Sequence, residues 1–170
     1  MAAPYNYRVS NIDTVSAVTA TLPSGYALGR ERVDGGIKYK LVYNAGGEQI
    51  TQGGVASPIP VAGGPNSVTV TTVSDGHNYL GAVMARNATA TTGTYFWGAY
   101  EGRVGKILGG STSLPTGQEL MISVNGTCRS APTLPTEMVG NIVVGINLGA
   151  VTTATVTTDT LSGDCYINFR

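Results

Sequence analysis

Ile37-Lys38-Tyr39-Lys40-Leu41-Val42-Tyr43-Asn44 (IKYKLVYN), entered through Asp34-Gly35-Gly36, is the stretch that decides the fold. Successive side chains of a strand point to opposite faces, so Ile37, Tyr39, Leu41 and Tyr43 share one face and Lys38, Lys40 and Val42 the other. This is the pattern of a half-buried antiparallel strand, and the Asp-Gly-Gly before it is a hairpin turn. From Arg30 to about Pro65 the chain thus reads as a hairpin and then a loop. After Ala45-Gly46-Gly47 and a short piece around Gln49 to Thr51 comes the loop Gly53 to Asn66 (GGVASPIPVAGGPN), with three prolines and four glycines. Structureless loops above about 12 residues are uncommon in compact domains unless mobile or functional. This one is expected to make contacts, with Pro58 and Pro60 as candidates.

Downstream, runs of the same kind recur. They are Ser67 to Val73 (SVTVTTV), Tyr79 to Ala85 (YLGAVMA), Thr94 to Tyr100 (TYFWGAY), Gln118 to Val124 (QELMISV), Asn141 to Leu148 (NIVVGINL) and Asp164 to Phe169 (DCYINF). Asp75-Gly76, Thr92-Gly93, Glu101-Gly102, Thr116-Gly117, Asn125-Gly126 and Ser162-Gly163 read as the turns between them. Leu134 to Val144 carries a faint helical signal at Pro135, which Gly140 and Ile142-Val143-Val144 turn back toward strand. The expected fold is all-β, a small antiparallel β-barrel or β-sandwich. Residues 27–170 form a single β domain, and residues 1–26 are an N-terminal extended arm or first strand, closed off by the Leu22-Pro23-Ser24-Gly25 turn.

Composition narrows the function. Charged residues are 12% of the 170, against about 25% in an average soluble domain. Ten Lys plus Arg balance ten Asp plus Glu, so no long-range field draws the protein to nucleic acid or to an anionic membrane. No run approaches the roughly 20 apolar residues that span a bilayer. The start MAAPYNYRVSNIDTVSAV lacks a basic and an apolar signal region, so synthesis in a cytoplasm is expected. Cys128 and Cys165 have neither zinc-site spacing nor the density of a disulfide scaffold. Two buried free thiols, or a disulfide formed late outside the cell, are the two readings.

Candidate chemistry is sparse. The single histidine, His77, lies in Ser74-Asp75-Gly76-His77-Asn78, and a tight turn cannot place Ser74 and Asp75 on opposite ring nitrogens as a triad requires. The acidic residues are scattered singly, so a glycosidase pair would have to meet in space. Gly109-Gly110-Ser111-Thr112-Ser113 lacks the Lys and the following helix of a phosphate cradle. No catalytic residue, metal ligand or cofactor is assigned.

A family resemblance lies in Asp34-Gly35-Gly36 with Ile37 to Asn44, in Gly81-Ala82-Val83, and in Asn87-Ala88-Thr89 leading to Thr92-Gly93-Thr94-Tyr95-Phe96-Trp97-Gly98. Thr116-Gly117-Gln118, Val143-Val144-Gly145-Ile146 and Cys165 to Phe169 continue it. Over roughly residues 30–170 the chain resembles the capsid decoration, or head cement, proteins of tailed bacteriophages. The resemblance implies a β-barrel or β-tulip on the outer surface of a phage head, locking neighbouring capsomers together. It also implies the major capsid protein as partner, a homo-oligomer with a trimer favoured, synthesis in the host cytoplasm, and no catalytic residues. The long N-terminal segment departs from that pattern.

Two aromatic groups are the remaining contact candidates. On a strand Tyr95 and Trp97 share a face opposite Phe96, either as core or as an outward anchor, since Trp and Tyr concentrate binding energy. Tyr5, Tyr7, Arg8 and Val9 lie on the extended N-terminal segment and are expected to dock on a partner, by strand addition to a neighbouring subunit. Besides the decoration reading stand two others: a carbohydrate-binding or tail-fibre β-module using Trp97 and nearby tyrosines, and a hydrolase with a cryptic carboxylate pair.

Overall fold

Thirteen strands and no α-helix make up the described part of the computed structural model, which comprises residues 14–59, 66–70, 82–109, 113–114, 116–122, 126–130, 143–148, 151–152 and 160–169. The all-β class is therefore what the structure has. β2 (Glu31–Asp34) and β3 (Ile37–Asn44) form the expected hairpin, in antiparallel register from Asp34↔Ile37 to Glu31↔Lys40. Gly35 and Gly36 sit at φ 57° and 77°. Two consecutive positive φ angles make a turn whose twist matches the flanking strands. Ile37, Tyr39 and Leu41 are buried, as their alternation implies, but Val42 on the opposite face is buried too.

The centre of the molecule is β7 (Tyr95–Leu108), 14 residues long. Its first half pairs with β3, from Tyr43↔Tyr95 to Lys38↔Glu101. Its second half pairs with β13 (Thr160–Asn168), from Asn168↔Glu101 to Thr160↔Leu108. Two rings of pairing share this strand. In the first, β7 pairs with β6 (Val83–Met84), β6 with β4 (Val55–Pro58), β4 with β5 (Ser67–Val70), β5 with β3, and β3 again with β7. In the second, β13 pairs with β11 (Val143–Asn147), β11 with β9 (Glu119–Ile122) and β9 with β10 (Cys128–Ser130). A parallel bridge from Cys128 to Gly109, directly after β7, closes it. β8 (Ser113–Leu114) and β12 (Val151–Thr152) pair separately. The buried side chains Tyr39, Leu41, Ile50, Val55, Met84, Phe96, Val104, Ile107, Leu120 and Ile167 belong to one continuous core that runs through both rings. Each such side chain contributes roughly 1.5–3 kcal/mol through burial.

Several expectations are corrected. The sheet is mixed, because β3 and β5 run parallel at Tyr43↔Ser67 and Asn44↔Val68. Parallel neighbours need a crossover of a dozen residues or more, which the chain between these two strands supplies. The loop expected over Gly53 to Asn66 contains β4, with Val55 and Ala56 fully buried and Pro58 opposite Val68 at the strand's end, where a missing N–H does least harm. Glu101-Gly102 and Ser162-Gly163 are not turns but interior positions of β7 and β13. Each lies at a register shift, one between Lys38 and Tyr39 opposite β7 and one between Ser162 and Cys165. A glycine inside a strand marks a bulge as readily as a turn.

Of the N-terminal segment, residues 14–26 are among those described. β1 (Val18–Thr19) pairs with β7 at Val18↔Phe96 and Thr19↔Tyr95, and Val15, Val18, Leu22 and Tyr26 pack against the core. A polar relay fastens it there. Arg86 Nη1 donates to the Tyr39 hydroxyl and to Asn87 Oδ1, both at 2.9 Å, and Asn87 Nδ2 donates to the Val15 carbonyl at 3.2 Å. Residues 14–26 thus lie against the body, with Val18–Thr19 as the first strand. Of the helical signal over Leu134 to Val144, Val143 and Val144 belong to β11 and the rest lies outside the described residues, as do the Asp75-Gly76 turn and His77.

Gly102 sits at φ 128°, and a Cβ there would stand 2.9 Å from Ile37 Cα. Gly102→Ala is expected to lower stability by about 1–3 kcal/mol in chemical denaturation. Gly105→Ala, in open space on the same strand, should change it by less than about 0.5 kcal/mol.

Candidate contact site

β2 is the last strand of the sheet order and, among the described residues, pairs with β3 alone. Its other edge therefore presents a row of backbone donors and acceptors, the template on which an extended segment adds as a strand. Beside it is a cleft of about 330 Å³ lined by Tyr26, Arg30, Glu31, Arg32, Val33 and Trp97. Four consecutive residues, Arg30 to Val33, form one wall of this cleft. Arg30 is exposed, with its guanidinium 4.9 Å from the centre of the Tyr26 ring. Arg32 lies opposite Tyr39 in the hairpin and stands 5.4 Å from the centre of the Trp97 ring.

Stacking fixes the plane of each guanidinium, and Arg30 Nη1 also donates to the Gly25 carbonyl at 3.4 Å. With two arginines against one glutamate, the lining of the cleft carries a net positive charge. Val33, 67% exposed, adds an apolar contact beside it.

The sequence-derived candidates distribute unevenly. Trp97 is only 2% exposed, so its ring is core on one side and covered by Arg32 on the other. It is not a sugar platform. Tyr95 is half-buried, its ring 4.8 Å from that of Tyr43. Pro58 is half-buried at the end of β4 and does not line the cleft. Tyr5, Tyr7, Arg8, Val9 and Pro60 lie outside the described residues. The structure thus brings Trp97 alone of these to the cleft, from beneath. Sequence reading missed Tyr26, Arg30, Arg32 and Val33, for which the one available signal was the Arg-Glu-Arg-Val alternation leading into the Asp-Gly-Gly turn.

Among the described residues no three His, Cys, Asp or Glu side chains gather in one place. Cys128 and Cys165 are free thiols, both buried. Burial, and secondarily the charge of Cys165, push the Cys128 thiol up to about 12. The folded state therefore binds this proton more tightly than the unfolded chain does. No family model, curated protein or solved structure matches this chain.

Trp97 is the one tryptophan, so its fluorescence reports this site. Emission of the native protein is expected to be blue-shifted, and Arg32→Ala should move it to the red and increase acrylamide quenching while far-UV circular dichroism stays the same. The thiol gives a pH prediction. Because the Cys128 proton is held more tightly in the folded state, its stabilising contribution is complete below the ordinary thiol value of 9.0 and is lost as pH rises through about 12. Urea denaturation at several pH values across this window should show a shallower alkaline decline for Cys128→Ala than for the parent. An equal decline in both proteins would mean that this thiol does not contribute.

Proposed function

We propose that this protein is a structural virion component that binds the outside of a phage head and cements neighbouring capsomers. The observation that carries this reading is the open edge of β2 beside the stacked arginines of Arg30 and Arg32. A cement must hold without chemistry, and backbone pairing along an edge supplies affinity that needs no special side chain. The adjacent guanidiniums then select which segment pairs there. The resemblance over residues 30–170 supports the same reading. Low charge supports it as well, since a contact with few exposed ions responds weakly to salt.

On this reading the partner is the major capsid protein, the site of action is the outer capsid surface after synthesis in the host cytoplasm, and copies of the protein associate with one another on the shell. Tyr5, Tyr7, Arg8 and Val9 add a second point of attachment. The carbohydrate-module alternative loses its main support with Trp97 buried.

Empty heads of the phage that encodes the chain, mixed with the full-length protein and pelleted, should carry it down at saturable stoichiometry. Arg30→Ala combined with Arg32→Ala is expected to weaken attachment by about tenfold or more, about 1.4 kcal/mol. Deleting residues 2–13 should weaken it independently while leaving the melting temperature of the free protein unchanged. A protein that never pellets with heads would overturn the proposal, whereas pelleting unaffected by the arginine changes would move the contact away from β2.

A further inference from the structure

Four strands of the second ring carry an ordered row of exposed side chains across their outer face. The register places Glu119 of β9 opposite Ile146 of β11, Ile146 opposite Tyr166 of β13, and Tyr166 opposite Arg103 of β7. Residues directly opposite in a sheet share a face. The burial pattern agrees: Leu120, Gly145, Ile167 and Val104, their sequence neighbours, are buried, while all four members of the row are exposed. Ile146 is 44% and Tyr166 42% exposed, and Leu148, two residues from Ile146 and so on the same face, is 46% exposed. Three of the four exposed large apolar side chains among the described residues therefore lie on this one face.

The order of the row is acidic, apolar, aromatic, basic. We infer that this face binds a second copy of the same chain, the two copies packed face to face about a two-fold axis that runs parallel to the strands over the seam between β11 and β13. Such an axis reverses the row. It sets Glu119 against the partner's Arg103, and Ile146 against the partner's Tyr166, twice over. A two-fold axis along the row would instead set Glu119 on Glu119 and Arg103 on Arg103, and like charges in contact are unfavourable. The chosen axis also keeps the strands of the two sheets aligned, the common way for sheets to stack. The inference names a surface and a symmetry that shell binding does not require, and it is tested without shells.

Four strands at about 4.8 Å spacing span only about 14 Å from first to last axis. That is narrow for an interface burying ~800 Å² per partner. Pairing is therefore reversible and concentration-dependent.

Sedimentation velocity of the full chain over a concentration series tests this. The expected result is a reversible monomer–dimer equilibrium that Tyr166→Asp abolishes. Glu119→Arg and Arg103→Glu should each weaken pairing by about tenfold, because each creates two like-charge contacts per dimer. An equimolar mixture of the two single variants should pair again as a heterodimer, since both contacts are then complementary. Carrying both changes in one chain should restore the homodimer. The rescue separates a contact role from a folding role, because a misfolded variant is not rescued by mixing. A strict monomer, a dimer indifferent to these changes, or a trimer formed without this face would each overturn the inference.

Discussion

Everything in this molecule is arranged around the continuity of β7. One strand of 14 residues serves both rings of pairing, and at Glu101 it changes partner, with Lys38 across from it on β3 and Asn168 across from it on β13. A strand twists as it runs, and one long enough to serve two rings must bend where its neighbours change. The register shift beside Lys38 and the positive φ of Gly102 fall at this handover. The Lys38 ammonium meets the Glu101 carboxylate there at 2.7 Å. Both groups are partly exposed, so the pair adds little free energy. What it contributes is register, by fixing which residue of β7 faces which residue of the hairpin.

The hairpin and the class were legible because they rest on local physics. Asp34-Gly35-Gly36 demands positive φ, and IKYKLVYN alternates with period two. Where sequence reading went astray, the cause was in each case tertiary. Glu101-Gly102 and Ser162-Gly163 have the composition of turns, and only the presence of a partner strand on either side makes them bulges. Val55-Ala56-Ser57 is too short to stand out between glycines and prolines, yet burial of Val55 and Ala56 between β5 and β6 makes it a central strand. The parallel pairing of β3 with β5 was also invisible, because local sequence carries no information about which strand returns to lie beside which.

The contact cleft illustrates the same limit at the level of side chains. Sequence singles out Trp97 as the residue with the largest capacity to bind, and the structure uses that capacity internally. Two strands over, on β2, Arg32 covers the ring. The result is a surface where the group offered to a partner is the guanidinium and the indole is its support. Arg30 over Tyr26 repeats the arrangement a few ångströms away. Charge patterning in Arg30-Glu31-Arg32 hinted at an exposed edge. That the arginines would stack on aromatics from another strand and from the segment before the hairpin required the fold.

Position in the sheet finally bears on how a small, nearly uncharged protein could act as cement. β2 pairs with β3, and the apolar row is carried by the other strands β9, β11, β13 and β7. A contact to a shell through β2 therefore leaves the apolar row of β11 and β13 uncovered. A narrow face that pairs only weakly in solution meets a different situation on a lattice, where two copies held at neighbouring sites see one another at an effective concentration set by their spacing, up to the millimolar range for short separations. Weak self-pairing then adds to each copy's attachment without adding area to the shell contact. The scarcity of charge works in the same direction, because it leaves the self-pairing face governed by the apolar fit of Ile146 and Tyr166, with Glu119 and Arg103 deciding which way round two copies meet.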